Sequence, residues 1–137
     1  MSDTVSQSRP RYRNLGLPRL LGYRLPLAGK SSIMHRVSGV LLLFCLPLVI
    51  VPLFASSVSS PARFALMHAW VANPLCKIVL LALIWAFLHH FCAGIRYLTL
   101  DLHLWDDKIN AQRTAGVVFG VSLILTAIFG LELFGVW

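Results

Sequence analysis

Three stretches of the chain, residues 37–55, 78–95 and 114–131, carry no charged side chain and are apolar almost throughout. Each has about the 17–25 residues that a helix needs to cross the hydrocarbon layer of a bilayer. The pattern predicts an all-α membrane protein with three transmembrane helices over about residues 32–54, 75–99 and 114–134. Pro47 and Pro52 fall inside or at the end of the first, so a kink is expected near Pro47. Residues 56–72, small and serine-rich at their start, read as a loop with His68 and Trp70 at the interface. The second helix opens near Pro74, with Lys77 able to snorkel. The third contains Gly116 and Gly120 in a GxxxG pattern, which predicts a helix-packing face, and ends towards Trp137.

Charge orients these spans. Of 12 Lys and Arg residues, seven lie at or before Arg36. Arg96, Lys108 and Arg113 flank the short second connection, against Arg63 and Lys77 around the first. The positive-inside rule then predicts a cytoplasmic N-terminus and second connection, with the first connection and the C-terminus outside. Residues 1–30, basic and rich in Pro and Gly, read as a cytoplasmic surface arm, with 17–21 dipping into the interface. Residues 31–137 form the three-helix anchor domain. The first apolar run begins too late for a signal peptide and is expected to stay in the mature protein.

Composition agrees with a membrane protein. Only 12% of the 137 residues are charged, roughly half the share of a soluble domain. The net charge of +7 gathers at span ends without interleaved aromatics, which points to lipid headgroups or an acidic partner and away from nucleic acid. Cys45, Cys76 and Cys92 lack CxxC spacing and read as packing residues. No internal repeat supports an inverted-repeat transporter, and no glycine-rich nucleotide fingerprint is present.

Two clusters of polar residues bear on chemistry, one at the start of helix one and one inside helix two. On helix one, Ser32 and Arg36 are i, i+4 neighbours with Gly39 continuing the stripe, and His35 lies beside Arg36. Arginine forks onto carboxylates such as haem propionates, and a hydroxyl beside a cation suits a quinone carbonyl. On helix two, His89 and His90 precede Gly94, Arg96 and Asp101. Adjacent residues project about 100° apart, so one helix cannot aim both imidazoles at the same iron. His90 lies between Ala86 and Gly94 on its face, leaving room for a flat macrocycle, whereas His89 lies between Trp85 and Ala93. Residue patterns alone leave other readings open. Both histidines can bond across helices in a haem-free anchor, or relay protons with Arg96 in a small proton-coupled transporter.

Read together, Arg9-Pro10, Tyr23-Arg24-Leu25-Pro26-Leu27, Ser32-Ile33-x-His35-Arg36-x-Ser38-Gly39 and His90-x-x-x-Gly94-Ile95-Arg96-x-x-x-x-Asp101 resemble the cytochrome b membrane-anchor subunit of succinate dehydrogenase, respiratory complex II. The resemblance covers roughly residues 9–136 in order and spacing. It implies haem b shared with a second small membrane-anchor subunit, with His90 as one axial iron ligand. It further implies a ubiquinone site lined by Ser32 and Arg36, and haem propionates near His35 and Arg36. FAD and iron–sulfur clusters would lie in a flavoprotein subunit and an iron–sulfur subunit. The basic N-terminal face, including Arg11 and Arg13, would dock that soluble arm at the inner membrane. A fumarate reductase anchor shares this pattern, since it serves the same couple in reverse. Some relatives carry histidine where this chain has Tyr97.

Overall fold

The computed structural model describes Gly16 and residues 22–136. Arg9, Arg11, Arg13, the 17–21 patch and Trp137 lie outside the described residues. Three helices are long and apolar enough to cross a membrane. Helix α1 runs Leu27–Ser59, α2 is the connecting helix Pro61–Ala72, α3 runs Pro74–Asp101 and α4 runs Lys108–Leu133.

Helix starts follow local chemistry. Ser60 and Asn73 each precede a proline, and their side-chain oxygens accept from Arg63 N–H at 3.2 Å and Leu75 N–H at 2.9 Å. A polar cap followed by proline at the first helical position satisfies or removes the orphan donors of that turn. The expected loop over 56–72 is therefore mostly helix: α1 persists to Ser59 and α2 fills the remainder. Asp107 caps α4 through the Ile109 and Asn110 amides at 3.0 and 3.1 Å, so this helix opens ahead of the expected residue 114. The first turn of α1 has no cap of its own, and Ala28 N–H donates to Gln112 on α4 at 3.1 Å.

The expected disturbance near Pro47 is a π-helical turn over Leu46–Ile50. Proline lacks the N–H that the α ladder needs, and Val51 N–H reaches back to the Leu46 carbonyl instead. Before this turn α1 packs on both α3 and α4. Beyond it α1 packs on neither and rests on α2. The divergence opens an apolar cavity of about 600 Å³ between the far half of α1, α2 and α3.

The three spans meet through small residues. Ser31, Ser38, Ala86, Ala93, Ala115 and Ser122 are fully buried. Small side chains let helix backbones approach where no hydrophobic drive exists between apolar surfaces in lipid. Gly130 lies against Leu81, where an added Cβ would come within 2.9 Å of Cδ1. In the GxxxG pair only Gly116 touches another element, Leu27, at 3.6 Å from its notional Cβ, while Gly120 faces open space. The predicted packing face is thus half realised.

Candidate functional site

The inward stripe of α3 is Ala86, His89, Ala93 and Arg96, all buried. Their 3-4-3 spacing keeps them on one helical face. His89 consequently sits in the bundle centre, stacked on Trp85 at 5.3 Å and tilted on Phe119 at 4.9 Å between ring centroids. Neither of its ring nitrogens has a hydrogen-bond partner among the described residues. The buried hydroxyl of Ser31, whose backbone adjoins the His89 ring, is likewise unpaired.

His90, rotated about 100° further, reaches α1. Its Nδ1 lies 3.0 Å from the His35 carbonyl oxygen and 3.3 Å from Ser38 Oγ. The Ser38 hydroxyl donates to that same carbonyl at 2.9 Å. A carbonyl accepts only, so Nδ1 carries the proton and Nε2 keeps its lone pair. Nε2 has no protein hydrogen bond among the described residues, nor is it sealed in the core. The ring passes so close to Gly39 that an added Cβ there would lie 2.9 Å from Cε1. The close-packing glycine expected on helix one therefore packs against His90.

The expected bed for a macrocycle is different. Ala86 is fully buried among the chain's own helices, and Gly94 faces the His35 Nε2 atom at 3.8 Å from its notional Cβ. The face between Ala86 and Gly94 is covered by α1, so any planar group must approach the Nε2 edge of His90. His35 stacks on His90 with centroids 4.2 Å apart and planes 13° apart, and its other neighbour is Tyr97 at 5.1 Å. The structure thus brings His35, Ser38, Gly39, His90 and Tyr97 together.

Ser32 and Arg36 lie on the same helix-one segment as His35. Ser32 is half-buried and Arg36 exposed, and neither side chain has a hydrogen-bond partner among the described residues. Sequence patterns gave Ser38 no role, although a hydroxyl beside glycine in an apolar run is a signal of close polar contact. They also missed the work of Arg96. Its Nε donates to Thr114 Oγ1 and its terminal nitrogen to the Ala111 carbonyl, both at 3.0 Å, which clamps α3 to the start of α4.

The sequence matches a known family over most of its length. Residues 8–129 match the model of the family described as Succinate dehydrogenase/Fumarate reductase transmembrane subunit. A succinate dehydrogenase cytochrome b556 subunit from Coxiella burnetii is 32% identical over 118 residues, covering 86% of this chain and 90% of the relative. The protein of the same name from Paracoccus denitrificans is 34% identical over 111 residues, 81% and 85% of the two chains. That from Rickettsia felis is 33% identical over 110 residues, 80% and 84%. The chain belongs to this family of transmembrane subunits.

Proposed function

We propose that this family member is the cytochrome b anchor of a succinate:quinone oxidoreductase in the bacterial inner membrane, with His90 as one axial ligand of a haem b and Ser32 and Arg36 at the quinone site. The observation that carries this reading is the state of His90. An Nδ1–H held by a carbonyl, with Nε2 left free at a helix edge, is the arrangement metal-ligating histidines use to fix tautomer and ring plane. The residues present therefore fit a haem. The printed names of the relatives, cytochrome b556, support a b-type group.

Each nearby side chain has a role in this reading. Ser38 and the His35 carbonyl orient His90, and Gly39 gives its ring space. The His35 imidazole covers one face of the ligand ring. His35 and Arg36 would hold the propionates, Arg36 being exposed and able to fork onto a carboxylate. A second anchor subunit would contribute the remaining residues that hold the haem, because α3 turns only one of its two adjacent imidazoles away from the bundle centre. A haem held there would supply one-electron redox chemistry.

For the quinone, Ser32 donates a hydrogen bond to a carbonyl oxygen and Arg36 stabilises the negative charge that gathers on that oxygen as electrons arrive. Succinate is oxidised at FAD in a flavoprotein subunit, so this chain contributes binding and orientation while its partners carry the dehydrogenation. The basic residues before Arg36 support a cytoplasmic position for this end of α1, where the soluble subunits would dock.

Ser32→Ala and Arg36→Ala complexes test the quinone assignment. Both are expected to keep the haem and succinate oxidation with an artificial soluble acceptor. Succinate–ubiquinone turnover should fall about tenfold or more, the cost of one lost charge-assisted hydrogen bond. Unaltered ubiquinone turnover in both variants would refute the assignment.

A further inference from the structure

A second cleft, of about 460 Å³, lies between α3 and α4 at the end nearest the 102–107 connection. Its residues Cys92, Ile95 and Thr99 are separated from His90 by roughly 140–200° around α3. It therefore lies on the opposite side of that helix from the haem and quinone residues. The cleft is polar at one end only. Arg96, Thr99, Asn110 and Thr114 line the part nearest the connection, with the exposed Trp105 ring beside them. Deeper in the span its walls are Val117, Val118 and Val121.

Arg96 is 6% exposed. Its hydrogen bonds go to a hydroxyl and a carbonyl, and its guanidinium lies 5.5 Å from the Tyr97 ring centroid. None of these partners is an anion. Among the described residues none of Asp101, Asp106 and Asp107 pairs with Arg96: Asp106 faces His103 at 3.6 Å and Asp107 caps α4. A buried cation compensated only by neutral dipoles is costly in a membrane protein. The positive end of the α4 dipole adds to the local potential.

We propose that this cleft binds one anionic phospholipid, its phosphate at the Arg96 guanidinium and an acyl chain along the valine wall, while Thr99 and Asn110 stay engaged with the Arg96 carbonyl and the Asp107 carboxylate. Charge complementarity selects the headgroup, and the apolar run selects the tail. From Thr114 to Val121 the wall extends about 10 Å along the helix axis, enough for the upper half of an acyl chain. Trp105 stands at headgroup level, where indole rings favour the interface.

The test uses the intact membrane complex containing this chain, purified and delipidated in neutral detergent. Phosphatidylglycerol or phosphatidylcholine is added, and bound lipid is counted by native mass spectrometry alongside the thermal midpoint. Val117→Trp fills the cleft without touching Arg96, at a side chain that is 62% exposed. Wild type is expected to hold one more phosphatidylglycerol than Val117→Trp and to gain more thermal stability from it than from phosphatidylcholine. Equal counts in the two complexes, or equal responses to the two lipids, would overturn the proposal. Loss of a partner subunit from the Val117→Trp complex would also overturn it, because the cleft would then be a protein interface. Arg96→Lys, which keeps the charge, should retain the extra lipid, and its loss there would count against a charge-selected headgroup.

Discussion

At the residue scale, His89 and His90 differ only by one step around a helix, yet their surroundings share almost nothing. His90 is held by a carbonyl and a hydroxyl at Nδ1 and left free at Nε2, while His89 is enclosed with two unpaired ring nitrogens. Sequence spacing legibly favoured His90, but for a reason that the fold replaces. The space for its ring comes from Gly39 on another helix, and no intrahelical pattern can show that. Gly39→Ala is therefore expected to displace His90 and lower haem content per complex, because its Cβ would fall 2.9 Å from Cε1. Gly94→Ala, at an ordinary 3.8 Å from His35, should leave haem content unchanged, and pyridine haemochrome assay separates the two. Buried polar residues diverge in the same way. His89→Leu removes two unpaired nitrogens and is expected to be neutral or stabilising. Arg96→Leu removes two hydrogen bonds made by a buried cation and should cost roughly 3 kcal/mol, read from thermal denaturation of the complex.

At the scale of elements, the three spans were legible because uncharged runs of this length leave few alternatives in lipid. Their ends were less so. The serine-rich start of 56–72 obscured α2, although Ser60-Pro61 and Asn73-Pro74 are both cap-and-proline starts. The end of α3 hides a further feature. His103 N–H bonds the Leu100 carbonyl and Leu104 N–H that of Thr99, a Schellman closure with His103 at φ 58°. Gly135 holds the matching position after α4 at φ 73°. A side chain in this left-handed region costs about 1 kcal/mol or more relative to glycine. His103→Gly is accordingly expected to stabilise the complex by about 1 kcal/mol, measured as a raised thermal midpoint. At the other side of the same connection, the Asn110 amide and side chain hold the Asp107 carboxyl below its ordinary value. A depressed carboxylate contributes stability above its unfolded pKa, and loses it as pH falls through the lower folded value. Hydrogen exchange at Ile109 and Asn110 should thus quicken relative to neighbouring amides only on the acid side of the usual carboxylate range.

For the whole molecule, the division of α1 at its π turn is the organising fact. The half before Cys45 packs with α3 and α4 and carries Ser32, His35, Arg36 and Ser38 opposite His90 of α3, while the half beyond it leaves the bundle. The residues of the candidate site are thus concentrated at one end of the spans, where the basic residues also gather. That placement suits an anchor that receives electrons on one side of the membrane. The family was legible from two motifs because their residues meet in space: Ser38 and Gly39 of the first hold His90 of the second. The role of Arg96 was not, since it depends on how α4 begins after the connection. A reduced-minus-oxidised absorption spectrum of the purified complex tests the haem assignment most directly. Wild type and His89→Leu should show a b-type band, and His90→Ala should lose it while the soluble subunits stay bound. A band that survives in His90→Ala, or is absent from wild type, would contradict the account.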